Sequence, residues 1–98
     1  MGILTVTAGR TKGQRHVLAS KLSVIGKSDL ATVRLTRWFA PRVAASIHRT
    51  EDGYVLFAAG KNIKIRINNT EVNRQHELKA GDIIEVAGIK AAFDYDDR

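Results

Sequence analysis

The amino-acid sequence predicts an all-β protein, a sandwich or barrel of many short strands. Three observations carry that expectation. Apolar residues alternate with polar ones or run in short bursts; glycine, asparagine and charged turns separate the bursts; and no segment sustains a helical period. Leu4 to Ala8, His16 to Ala19, Ser23 to Gly26 and Val33 to Leu35 are the first candidate strands. Ala44 to Arg49 and Tyr54 to Ala58 follow, joined by Thr50-Glu51-Asp52-Gly53, a run of turn-forming residues. Ile63-Lys64-Ile65-Arg66-Ile67 is the clearest strand, because three isoleucines face inward, two cations face water, and β-branched side chains suit the pleat. Ile83 to Val86 and Ile89 to Phe93 flank Ala87-Gly88, a tight hairpin that places Ile89, Ala91, Phe93 and Tyr95 on one face. There is no internal repeat and no low-complexity segment.

With 98 residues the chain is expected to form one domain, 1–98, around one core, and is too short for two lobes with a cleft between them. The absence of cysteine excludes disulfide scaffolds, thiol catalysis and cysteine-bound zinc, and suits a reducing compartment. No apolar run approaches the roughly 20 residues of a membrane span, and no charged segment followed by an apolar stretch opens the chain. A soluble, cytoplasmic protein, or a domain of a longer one, is the expectation. Sixteen lysines and arginines against ten acidic residues give a net charge of +6, which favours phosphopeptides, acidic protein faces or nucleic acid as partners. The cations are scattered along the chain without a polybasic block, while acids gather at the end in Asp94, Asp96 and Asp97. A basic surface that serves only solubility accounts for the charge equally well.

Gly26-Lys27-Ser28 has the closing residues of a nucleotide-binding P-loop. That loop needs a glycine five residues before its second one, where this chain has Lys21, and Leu22 to Ile25 read as a strand rather than a flexible cradle. Nucleotide hydrolysis is excluded on that mismatch.

Several motifs in register give a fuller reading. Ile25-Gly26-Lys27-Ser28, Pro41-Arg42-Val43-Ala44-Ala45-Ser46-Ile47, Gly53-Tyr54-Val55-Leu56, Ile67-Asn68-Asn69 and Leu78-Lys79-Ala80-Gly81-Asp82-Ile83-Ile84-Glu85-Val86 follow one another in an order that resembles the forkhead-associated (FHA) domain. The resemblance covers nearly the whole chain and implies an FHA-like β-sandwich of about ten to eleven short strands. In the family, loops at one end bind phosphothreonine peptides through an arginine after the first glycine and the serine of a Ser-x-x-His motif, and the histidine braces the loop. Here Lys27, Pro41 and Ala44 stand at those three places. Lysine neutralises a phosphate as a point charge without arginine's planar fork, and proline has neither hydroxyl nor backbone N–H to donate. If each lost charge-assisted hydrogen bond is worth about 1.5–3 kcal/mol, phosphate affinity falls by roughly one to four orders of magnitude.

The resemblance also implies a candidate phosphate and peptide site of Lys27, Ser28, Arg42, Asn68 and Asn69. Arg34 and Arg37 are further cations that can swing toward a phosphate. Asn68 stands for the family asparagine that bonds the peptide backbone, and Asn69 replaces a glycine; a simple hairpin turn explains both equally. Trp38 and Phe39, with Arg37, occupy a loop at the expected binding end. Large aromatics there either fold back to plug the core, the commoner fate of a lone tryptophan, or stand out as interaction anchors.

His16, His48 and His76 share no metal spacing and read as solvated or turn residues, and the Asp94 to Asp97 stretch lacks the elements of a calcium loop. No metal or cofactor is expected. No paired carboxylates or serine–histidine motif suggest an enzyme. The leading expectation is a non-enzymatic protein-interaction module with a degenerate phosphothreonine pocket, binding a partner protein or peptide independently of phosphorylation. The alternatives are a phosphothreonine binder rebuilt from Lys27, Ser28, Arg42 and Asn68, a basic nucleic-acid-binding domain, and an assembly subunit that meets copies of itself.

Overall fold

A computed structural model describes residues 1–60 and 62–96. Eleven strands form two sheets and no helix occurs among the described residues. The first sheet holds, in spatial order, β2 (Arg15–Val17), β1 (Gly2–Ala8), β11 (Ile89–Tyr95), β10 (Ile83–Val86), β7 (Ile65–Ile67) and β8 (Thr70–Glu71). The second holds β4 (Val33–Arg34), β3 (Leu22–Gly26), β5 (Ala45–Arg49), β6 (Tyr54–Ala58) and β9 (Gln75–Glu77). Every pairing is antiparallel except β3 with β4.

Period-two alternation builds the core between the sheets. Leu4 and Val6 of β1, Ile47 of β5, Leu56 of β6, Ile65 and Ile67 of β7, Ile84 and Val86 of β10 and Phe93 of β11 are all buried. The intervening residues face outward. On the first sheet they form a cross-strand charge ladder in which Lys90 pairs with Glu85, Glu85 with Arg66, and Arg66 lies opposite Glu71. Tyr54 ties the sheets together at one end: its hydroxyl accepts from Gly2 N at 2.8 Å and donates to the Leu18 carbonyl at 3.0 Å.

Most expected strands are present, with shifts at their ends. Leu18 leaves the ladder to bury itself, Ala44 precedes β5, and Ile63 precedes β7 as a partly buried residue. Asp94 belongs to β11, whereas Asp97 lies outside the described residues. Two strands, β8 and β9, have no sequence counterpart. Both are short and mainly exposed, so no apolar alternation marks them; backbone pairing with β7 and β6 creates them.

The strand directions sort the loops. β1, β3, β4, β6 and β10 run toward one end and deliver 9–14, 27–32, 35–44, the described part of 59–64, and 87–88 there; 72–74 joins them before β9. The turns 18–21, 50–53, 68–69 and 78–82 lie at the opposite end.

Candidate recognition site

The loop end is assembled by backbone contacts around Gly26. Lys27 N donates to the Pro41 carbonyl at 2.8 Å and Ser28 N to the Arg42 carbonyl at 3.1 Å, while Ala44 N donates to the Ile25 carbonyl at 2.7 Å. These bonds draw the 35–44 loop onto β3 so closely that a Cβ on residue 26 would lie 2.6 Å from the Arg42 carbonyl carbon and 2.9 Å from Val43 Cα. Glycine is what permits the approach. Ala59 N reaches the Ala44 carbonyl at 3.0 Å and anchors the loop after β6 to the same spot.

Lys27, Ser28 and Arg42 therefore do come together. The Lys27 and Ser28 backbone N–H groups and one of the three Lys27 ammonium donors are committed within the fold. The Lys27 ammonium donates to the Trp38 carbonyl at 3.1 Å, and the Ser28 hydroxyl accepts from Leu30 N at 3.2 Å. Ala31 N donates to the Ser28 carbonyl at 3.0 Å, and Arg34 holds Asp29 at 2.6 Å on the surface. Arg42 is exposed and forms no ion pair with any described residue. Lys27 thus props the 35–44 loop, and the turn that resembles a phosphate cradle is closed by carbonyl oxygens.

Asn68 and Asn69 are not part of this cluster. They form the turn between β7 and β8 at the opposite end, with φ of 54° and 68°, left-handed conformations that asparagine tolerates. Each polar group of the Asn68 amide is engaged: Nδ2 donates to Asp82 Oδ1 at 2.9 Å and Oδ1 accepts from Ile83 N at 3.0 Å. Asp82 also accepts from Lys79 N at 2.9 Å and faces His76 Nε2 at 3.1 Å. Burial alone would push the Asp82 carboxyl up, but the Lys79, Asn68 and His76 hydrogen bonds and the His76 charge hold it below its ordinary value. The expectation that Asn68 shares a site with Lys27 is corrected by the strand count, since β7 carries the chain away from the loop end before the asparagines occur. Asn62, which sequence reasoning passed over, lies in the loop after β6 at the correct end and is exposed. A single asparagine directly before the expected 63–67 strand carries no pattern that marks it out in the sequence.

Trp38 and Phe39 do not plug the core; Trp38 is 86% exposed and Phe39 53%. Leu35, Ala40 and Ala44 are the residues of this loop that bury themselves, and a turn closed by Ala40 N on the Arg37 carbonyl at 3.0 Å leaves the two rings outside. The rings meet edge to face, centroids 5.9 Å apart and planes at 89°, and the Arg37 guanidinium lies 5.6 Å over Phe39. A hollow of about 400 Å3 is lined by Arg10, Thr36, Arg37, Trp38 and Phe39.

The fold also gathers charges that the sequence scatters. Arg10, Lys12, Lys27, Arg34, Arg37 and Arg42 all lie at the loop end, and Asp29 is the carboxylate among its described residues. Glu51, Asp52 and Asp82 lie at the other end. Loops distant in sequence converge, so chain spacing was no guide to clustering.

The histidines are more engaged than expected. His48 lies edge-on to Phe57 at 4.7 Å and against Ser46 Oγ at 3.2 Å, because residues two apart share a strand face. His16 is partly buried, its Nε2 without a partner in the described residues, and burial lowers its pKa from the ordinary value. No group of three or more metal-ligating side chains occurs among the described residues, and no helix is long and apolar enough to cross a membrane.

The architecture is a two-sheet β-sandwich that presents converging loops at one end. No protein-family model matches the chain, and no curated protein matches it significantly. Solved structures do. An FHA domain from a study of phosphothreonine-dependent FHA interactions superposes with a TM-score of 0.84 at 20% identity, covering 97% of this chain and 96% of that one. The FhaA FHA domain, solved in complex with the intracellular domain of Rv3910, gives 0.82 at 19% identity and covers 95% and 99%. The FHA domain of the CT664 protein from Chlamydia trachomatis gives 0.85 at 16% identity and covers 97% of each chain. The chain has the FHA-domain fold.

Proposed function

We propose that this protein is a non-enzymatic protein-interaction module that binds a partner through its loop end without requiring phosphorylation. One observation carries the reading: Trp38 and Phe39 stand exposed beside a Gly26-Lys27-Ser28 turn whose Lys27 and Ser28 N–H groups are already bonded within the fold and whose Lys27 ammonium spends one of its three donors on the Trp38 carbonyl. Pro41, which offers no donor, adds to it. Solved FHA domains described with phosphothreonine-dependent interactions and with another protein's intracellular domain support recognition of protein rather than chemistry. Exposed aromatics beside arginine are the residues that most often anchor protein interfaces.

A second reading is favoured by the juxtaposition of Lys27, Ser28 and Arg42, which leaves the elements of a rebuilt phosphothreonine pocket at one place; Asn68 no longer contributes to it. Calorimetry with a degenerate phosphothreonine peptide pool and its unphosphorylated twin separates the two. Phosphate-independent recognition gives affinities for the two pools that agree within about threefold, in the native protein and in Lys27→Ala alike, and that fall about tenfold or more with Trp38→Ala. Binding of the phosphorylated pool alone, abolished by Lys27→Ala, would establish the second reading instead.

A further inference from the structure

The hollow beside Trp38 has a chemistry more specific than a hydrophobic patch. Two guanidiniums, Arg10 and Arg37, flank two rings that meet at a right angle. Arg37 is held in place from two sides. Its charge lies over Phe39, and its Cδ, Nε and Cζ pack onto Gly88, where any Cβ would collide with them. Gly88 thus serves the hairpin, with φ of 86°, and at the same time forms the slot for Arg37. A pre-ordered arginine loses less freedom on binding and fixes the direction of its hydrogen-bonding fork. Neither Arg10 nor Arg37 has a carboxylate partner among the described residues.

We infer that the loop end receives an acidic, unphosphorylated peptide segment. A leucine- or phenylalanine-class side chain enters the corner between Trp38 and Phe39, and carboxylates on flanking residues meet Arg10 and Arg37. This rests on the phosphate-independent reading and adds the partner's chemistry to it. Perpendicular rings suit one bulky side chain and cannot both stack on successive bases, which need parallel platforms. Two separate guanidiniums suit carboxylates at separate positions better than one compact dianion. The preponderance of cations at this end draws in such a segment and repels basic ones.

Trp38 is the sole tryptophan, so its fluorescence reports occupancy directly. The probes are a peptide of aspartates and glutamates around a central leucine, the same peptide with glycine for leucine, a third with glutamine for every acid, and a deoxythymidine decamer. The acidic leucine peptide should shift the emission to the blue, and each altered peptide should bind about tenfold or more weakly. Arg37→Glu should weaken binding about tenfold or more, whereas Lys21→Glu, the same charge change at the opposite end, should leave it within about twofold. Equal binding of the glutamine peptide overturns the acidic partner but leaves phosphate-independent recognition standing. Tighter binding of the oligonucleotide assigns the surface to nucleic acid and overturns the proposal. A strict requirement for phosphothreonine overturns both readings, and no shift at about 1 mM acidic peptide also overturns this one.

Discussion

Gly26→Ala tests the contact on which the loop end is built. Gly26 is buried, and its new Cβ would fall inside the Arg42 carbonyl, with the Arg42 carbon 2.6 Å and Val43 Cα 2.9 Å away. All three atoms are backbone, so no side chain can swing clear, and the 35–44 loop must withdraw from β3. Withdrawal breaks the Lys27–Pro41 and Ser28–Arg42 backbone bonds of 2.8 and 3.1 Å. At about 1 kcal/mol for each bond and about 1–3 kcal/mol for overpacking, the substitution costs about 3–5 kcal/mol. That is a large share of the roughly 5–15 kcal/mol that stabilises a domain. At about 4–8 °C per kcal/mol, the melting temperature drops by more than about 12 °C. Equilibrium urea unfolding followed by circular dichroism gives the value. A variant within about 0.5 kcal/mol of the native protein would refute the close approach and, with it, the closure of the Gly-Lys-Ser turn.

Three further outcomes follow from the same geometry. Tyr54→Phe leaves Gly2 N and the Leu18 carbonyl without their shared partner and should cost about 1–3 kcal/mol in urea unfolding. Ala87→Asn places a residue that tolerates the left-handed region at φ 44° before Gly88 and should raise stability by up to about 1 kcal/mol in the same assay. Asp82 has a folded pKa below its unfolded one, so its contribution to stability is fully present above about pH 4 and disappears as the pH falls through the folded value. Asp82→Asn should therefore be less stable than the native protein at about pH 7, with the difference shrinking as the pH is lowered below about 4 in parallel urea titrations.

The scaffold was legible because burial imposes a pattern on it. Ile65 and Ile67 alternate with Arg66 as the inner and outer faces of β7 require, and Ala87-Gly88 turns the closing hairpin in two positive-φ residues. Thr70–Glu71 and Gln75–Glu77 bury almost nothing, so only their partners reveal that they are strands. The site was harder to read. Whether Trp38 folds inward depends on Leu35 and Ala40 taking the core positions around it, which is a tertiary outcome. Asn68 was misplaced because its identity suits a peptide contact and a hairpin equally; the choice depends on which end of β7 it occupies. The basic end emerges only when loops separated by tens of residues are brought together.

The central claim is that the partner is met at the exposed aromatics and not at the Gly-Lys-Ser turn. Amide and indole resonances of the isotopically labelled protein, followed during titration with the phosphothreonine pool and its unphosphorylated twin, test it most directly. The prediction is equal shifts for both pools, largest at the Trp38 indole N–H and the Phe39 amide, with Lys27 and Ser28 little changed. Shifts confined to the phosphorylated pool and centred on Lys27, Ser28 and Arg42 would contradict it.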